Sequence, residues 1–149
     1  MFSSILVSTD GSAFSDKAVI EAAHLARKLG SKLVLFYATP HYETPHLAEG
    51  MPAPHYVEDK EKAKSAMEAK AKQILADSAK SVIGEGVTVD QRFSVSSSPY
   101  EAIIDAAKKF NCDLIVMASH GRRGISGLVL GSETQKVLTH SKLPVLVIR

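Results

Sequence analysis

With 149 residues, 45% of them hydrophobic and 23% charged, the chain has the balance of one globular domain able to bury a real core. A net charge of +2 on dispersed basic residues lacks the electrostatic footprint of a nucleic-acid binder, and no apolar run approaches the roughly 18 residues that a membrane-spanning helix needs. The single cysteine, Cys112, excludes an internal disulfide and a thiolate zinc cluster and reads as a small, half-buried apolar residue.

Met1 to Ser4 leads straight into an apolar run without the charged and apolar regions of a signal peptide, so the expected location is the cytoplasm. Ile5-Leu6-Val7, bounded by turn residues, predicts a strand buried on both faces, ending in Ser8-Thr9-Asp10-Gly11-Ser12. Ser15 is the expected cap of a helix in which Ala18, Ala22, Leu25, Ala26 and Leu29 recur at helical spacing until Gly30 stops it. A second strand, Leu33 to Ala38, completes a βαβ unit whose strands should be parallel and whose crossover should be right-handed.

From Thr39 to Val57 the pattern dissolves into Pro40, Pro45, Pro52 and Pro54 with His41, His46 and His55 between them, which predicts a long surface loop. The histidine spacings of five and nine residues match no common metal-ligand pattern; a lid over a bound ligand is one use of such a loop. Glu58 to Lys80 predicts an amphipathic helix with a thin apolar stripe of Ala63, Ala66, Met67, Ala71, Ile74 and Leu75. Its interleaved acids and lysines make a salt-laced surface rather than a phosphate patch.

A turn at Gly84-Glu85-Gly86 leads into a third strand, Val87 to Val95, whose initial alternation suggests an edge. Ser98-Pro99 opens a helix with Ile103, Ala106, Ala107 and Phe110 on its buried face, and Asp113 precedes a fourth strand, Leu114 to Ala118. Ser132 to His140 predicts the last helix and Pro144 to Ile148 the last strand. Alternation of β and α throughout implies a doubly wound, five-stranded parallel sheet with helices on both faces, an α/β Rossmann-like architecture in a single domain.

Between the fourth strand and the last helix runs Ala-Ser-His-Gly followed by a loop with glycines at Gly121, Gly124, Gly127 and Gly131. Glycine permits close approach of backbone to ligand, and the unpaired N–H groups of a helix's first turn suit a phosphate. A Walker loop is excluded because Ser132 follows Gly131 with no lysine between them. A dinucleotide fingerprint is excluded because the glycines are wrongly spaced and lie far from the first βαβ unit.

Gly121, nine residues and then Gly131-Ser132, with Ala118 three places ahead of Gly121, resembles the G-x2-G-x9-G-[ST] nucleotide-binding signature of the universal stress protein family, with alanine for the first glycine. Thr9-Asp10-Gly11-Ser12, Asp113 to Met117 and Pro144 to Ile148 carry the same resemblance, which thus covers nearly the whole chain. It implies strand order 3-2-1-4-5, which sets the first strand beside the fourth, and an ATP site. In that site Asp10 lies near the ribose and a possible Mg2+, Ser8 and Thr9 offer backbone to the base, and Ala38 touches adenine. Met117, Ala118, Gly121, Arg122, Arg123, Gly131, Ser132 and Glu133 complete the implied nucleotide-binding set. Gly121 and Gly131 have mechanical tasks, close approach and an unobstructed helix start. Ser132 either donates to a phosphate or caps the helix, and Ala118 would add a methyl at the pocket wall.

Helix-terminal charge effects are worth about 0.3–1 kcal/mol each, whereas micromolar binding requires about 8 kcal/mol, so adenine burial and ribose contacts must supply most of the affinity. No G-x-S-x-G motif or obvious base for water is present, which favours a stress-response sensor module over an enzyme. A slow ATPase, or a member acting only through protein contacts, are the alternatives. The apolar last strand, residues 144–148, is an unprotected edge, and the resemblance implies a homodimer through it.

Overall fold

The computed structural model describes residues 1–41, 53–121 and 129–149. The element order is β1 (Ser4–Ser8), α1 (Ala13–Leu29), β2 (Lys32–Thr39), α2 (Ala53–Lys80), β3 (Val89–Val95), α3 (Pro99–Lys109), β4 (Leu114–Ala118), α4 (Ser132–His140) and β5 (Val145–Ile148). The strands form one five-stranded sheet in the order β3-β2-β1-β4-β5, every neighbouring pair parallel. This is the expected doubly wound α/β fold, and β3 is an edge as its alternation suggested.

Alternation along each strand divides the core in two. Ile5, Val7, Leu33, Leu35, Leu114 and Val116 face α1 and α2, whereas Leu6, Val34, Phe36, Ile115 and Met117 face α3 and α4. Strands buried on both faces need continuous apolar runs, which is why β1 and β4 read as they do. The winding reverses between β1 and β4. The chain leaves β1 toward one face and β4 toward the other, opening a crevice at their carboxyl ends.

The helix ends show how local chemistry sets element bounds. Ser12, not Ser15, caps α1: its hydroxyl accepts the Ser15 N–H, and the preceding Gly11, at φ 74°, makes the turn that aims it. Gly30 ends α1 in the left-handed region at φ 65°, as expected. Helix α2 begins at Ala53, several residues before the expected start, because Pro54 suits a helix's first turn as well as a loop. The rest of that proline- and histidine-rich stretch, 42–52, lies outside the described residues. Ala66 is exposed rather than part of a buried stripe, and from residue 58 onward the first buried position of α2 is Ala71. No helix among the described residues is long and apolar enough to cross a membrane.

Candidate functional site

The crevice is built from the tips of β1, β2 and β4 and the start of α4. Asp10 follows β1, and its Oδ1 accepts the Ser12 N–H at 2.9 Å, a turn that holds the carboxylate over the strand end. Its Oδ2 lies against Gly121: a Cβ added to that glycine would stand 2.6 Å away. Gly121 therefore serves close approach, and the carboxylate and the glycine loop meet across the β1/β4 boundary.

Gly131 sits at φ −57° and ψ 143° in the cap position of α4 and provides no side-chain cap. Its own N–H donates to the Ser119 carbonyl at 2.7 Å, and a Cβ there would meet that carbonyl at 3.0 Å. The first backbone donor used inside the helix is Gln135, bonded to the Gly131 carbonyl. The N–H groups of Ser132, Glu133 and Thr134 thus face the space ahead of the helix. Ser132 is exposed and is the first helical residue, so the expected capping role falls to Gly131.

The Glu133 side chain turns away from that space. One oxygen accepts the Tyr100 N–H at 2.9 Å, and the other accepts the Lys136 ammonium at 2.9 Å. Tyr100 lies in the first turn of α3, whose own cap residue, Ser98, makes no side-chain cap bond, so a carboxylate from α4 caps α3. This contact joins the two helices on the α3/α4 face. Ion pairing with Glu133 pushes the Lys136 ammonium above its ordinary range.

Thr9 is 5% exposed, and its hydroxyl lies 3.1 Å from that of Ser15 and 2.9 Å from that of Ser78 in α2. Ser78 donates onward to Asp16, a carboxylate that only accepts, so the Thr9 hydroxyl donates to Ser78. With that side chain committed inward, Thr9 offers the crevice only backbone. Its N–H is already bonded to the Phe36 carbonyl. Ser8 pairs in register with Phe36, so Ala38 and Thr39 continue β2 beyond the end of β1 and form a side wall. Ser78 was not legible as a partner of this site, because nothing in its helical surroundings points to β1.

Met117 and Ala118 are 5% and 8% exposed. Ala118 packs in the hydrophobic cluster facing α1 and α2. Its φ is not positive, so alanine is unstrained there. What it offers is a carbonyl, which accepts the Thr134 hydroxyl at 2.9 Å. Arg122 and Arg123, with Gly124 and Gly127, lie outside the described residues. Among the described residues no group of three or more His, Cys, Asp or Glu could hold a metal by itself.

His120 bridges two groups. Its Nδ1 is 3.0 Å from the Ser119 hydroxyl and its Nε2 contacts the Val129 carbonyl, while its ring lies 6.0 Å from that of Phe14 in α1.

The profile described as Universal stress protein family matches residues 1–149. The protein named "Universal stress protein in QAH/OAS sulfhydrylase 3'region" from Thermus aquaticus is 32% identical over 152 aligned positions covering 100% of both chains. A crystal structure of a universal stress protein in complex with cAMP superposes with a TM-score of 0.69 at 29% identity, covering 99% of this chain and 97% of that one. The protein MJ0577 of Methanocaldococcus jannaschii superposes with a TM-score of 0.80 at 24% identity over 99% and 96% of the chains, a likeness of fold.

Proposed function

The chain belongs to the universal stress protein family, and from that premise we propose that it is an ATP-binding stress-response module that senses or transmits nucleotide state rather than turning over a substrate. The observation that carries this reading is the contact of Asp10 with Gly121 where the winding reverses, beside an uncapped α4. The universal stress protein bound to cAMP, an adenine nucleotide, at 29% identity supports the same ligand class.

In this reading the polyphosphate meets the N–H groups of Ser132, Glu133 and Thr134, with the Ser132 hydroxyl as a further donor and Arg122 and Arg123 as cations. Gly121 and Gly131 let the chain approach. The base lies against the backbone of Ser8 and Thr9 and the wall at Ala38, while Met117 and Ala118 contribute main chain only. The Asp10 carboxylate accepts from ribose hydroxyls. Alternatively it is the protein's single oxygen ligand to Mg2+, an ion commonly held by one or two carboxylates together with substrate phosphates. That donor set fits the ion, which would neutralise phosphate charge beside the carboxylate.

No residue of the glycine signature is an obvious base for water, which favours binding over hydrolysis. Edge strand β5, with Leu146 39% exposed, supports a homodimer through residues 144–148. The small net charge gives no field for nucleic acid, and a cytoplasmic location follows the same reading.

The test is calorimetric titration with ATP, ADP, AMP, cAMP and adenosine, each with and without Mg2+. Micromolar binding that strengthens with phosphate number is expected. Absence of binding at millimolar nucleotide refutes the reading in favour of a module acting through protein contacts, and phosphate release above a protein-free control turns it into a slow ATPase.

A further inference from the structure

His120 lies between Ser119 and Gly121, and its bonds select its tautomer. The Val129 carbonyl can only accept, so Nε2 carries a hydrogen; in the neutral imidazole Nδ1 then holds the lone pair and receives the Ser119 hydroxyl. The neutral imidazole is thus fixed in one tautomer by the two ends of the segment between β4 and α4. Three further bonds brace the same ends. Gly131 N–H donates to the Ser119 carbonyl, the Thr134 hydroxyl donates to the Ala118 carbonyl, and Ser119 N–H donates to the Ile148 carbonyl of β5 at 2.8 Å. The ring of Phe14, in the first turn of α1 and 48% exposed, lies 6.0 Å from the imidazole, so His120 also neighbours α1.

We propose that His120 is the positioning residue of this site: as the Nε2–H tautomer it latches residue 129 to the exit of β4 and thereby fixes the span between Gly121 and the α4 N-terminus that a polyphosphate must bridge. The inference rests on the nucleotide reading above, because the span matters only if phosphate occupies it. A preset span spares the ligand the fixing of the chain ends it must bridge, and such fixing is entropically unfavourable. The latch acts on phosphates alone. In that reading the base and ribose are held at β1, β2 and Asp10, whereas the partners of the imidazole are Ser119, Val129 and Phe14.

Two substitutions separate the latch from bulk stability. In His120→Gln the side-chain amide nitrogen reaches the position of Nε2 and keeps the donor to Val129; in His120→Asn the shorter amide reaches only the position of Nδ1. Titration of wild type and both variants with ATP and with adenosine should show His120→Gln close to wild type for both ligands. His120→Asn should bind ATP about tenfold more weakly, as expected for loss of one net hydrogen bond, and bind adenosine as wild type does. Equal ATP affinity in His120→Asn and wild type, or equal losses for ATP and adenosine, overturns the latch.

A second measurement needs no ligand and no variant. Long-range 1H–15N spectra of the free wild-type protein at neutral pH should show His120 as the Nε2–H tautomer with a slowly exchanging proton. A Nδ1–H tautomer, or rapid exchange, overturns the latch even if the protein binds ATP. If the wild type binds no nucleotide, the site reading fails and the positioning role falls with it, while the spectra still report whether the bridge exists.

Discussion

Gly121→Ala probes the contact on which the site depends. The new Cβ would stand 2.6 Å from Asp10 Oδ2, inside the 3.0 Å that such carbons essentially never cross, and 3.7 Å from Cγ. The obstructing atom is the far end of a short side chain, so the carboxylate can swing aside while the backbone of 121 stays in place. Swinging it withdraws Oδ1 from the Ser12 N–H, now at 2.9 Å. Folding should therefore lose about 1 kcal/mol, one hydrogen bond's net worth, and the melting temperature about 2–4 °C. Binding should suffer more. A carboxylate displaced from its ribose or metal partner forfeits about 1.5–3 kcal/mol, roughly ten- to hundredfold in Kd. Scanning calorimetry and titration with ATP and Mg2+ measure the two quantities on the same sample. The Asp10→Ala/Gly121→Ala double variant checks the cause: with no carboxylate to displace, the second methyl should add little to the loss caused by Asp10→Ala alone. ATP affinity in Gly121→Ala equal to wild type, or strictly additive losses in the double variant, would refute the reasoning.

Three further outcomes test the surrounding structure. Burial pushes the Asp113 carboxyl up, but the Ser3 and Ser4 N–H groups and the Ser3 hydroxyl outweigh it and hold the group below its ordinary range. A depressed folded-state value means that its contribution is complete above the unfolded value near about pH 4 and lost as pH falls through the folded one; urea midpoints between pH 2 and pH 6 should therefore fall more steeply in wild type than in Asp113→Asn, and parallel profiles would contradict this. Thr39 is 4% exposed, and its hydroxyl is the one buried side-chain polar atom without a hydrogen-bond partner among the described residues. Thr39→Val should accordingly raise stability to urea by about 1 kcal/mol, and a loss of stability would show that the hydroxyl is satisfied after all. Leu146→Lys adds a charge to the face of edge strand β5 and should leave only monomer in sedimentation velocity at micromolar concentration, whereas an unchanged dimer would move the interface elsewhere.

Residues 9 to 12 show how far local patterns reach. Gly11 and Ser12 were legible as turn residues, yet which serine caps α1 depended on the φ of Gly11, and two serines three apart satisfy the same capping rule. At the glycine loop the pattern pointed to Gly121, Gly131 and a helix starting at Ser132, but not to Gly131 as the cap. Ala118 looked like a departure with a consequence for the pocket. Strand alternation places its methyl in the cluster facing α1 and α2. The bridge made by His120 was not visible because its second partner, the Val129 carbonyl, is placed only by how the chain returns after the loop.

The sequence by itself determined the periodicities, the turn glycines and the alternation of strand and helix, because each depends on the chemistry of residues within a few positions of one another. It also carried the family signature, and with that the strand order. Only the tertiary structure decided that Asp10 abuts Gly121, that Glu133 caps a helix other than its own, and that Ser78 secures the tip of β1. Those contacts join residues distant along the chain. Register and crossover bring them together, and no local spacing rule encodes where a side chain from one element meets another.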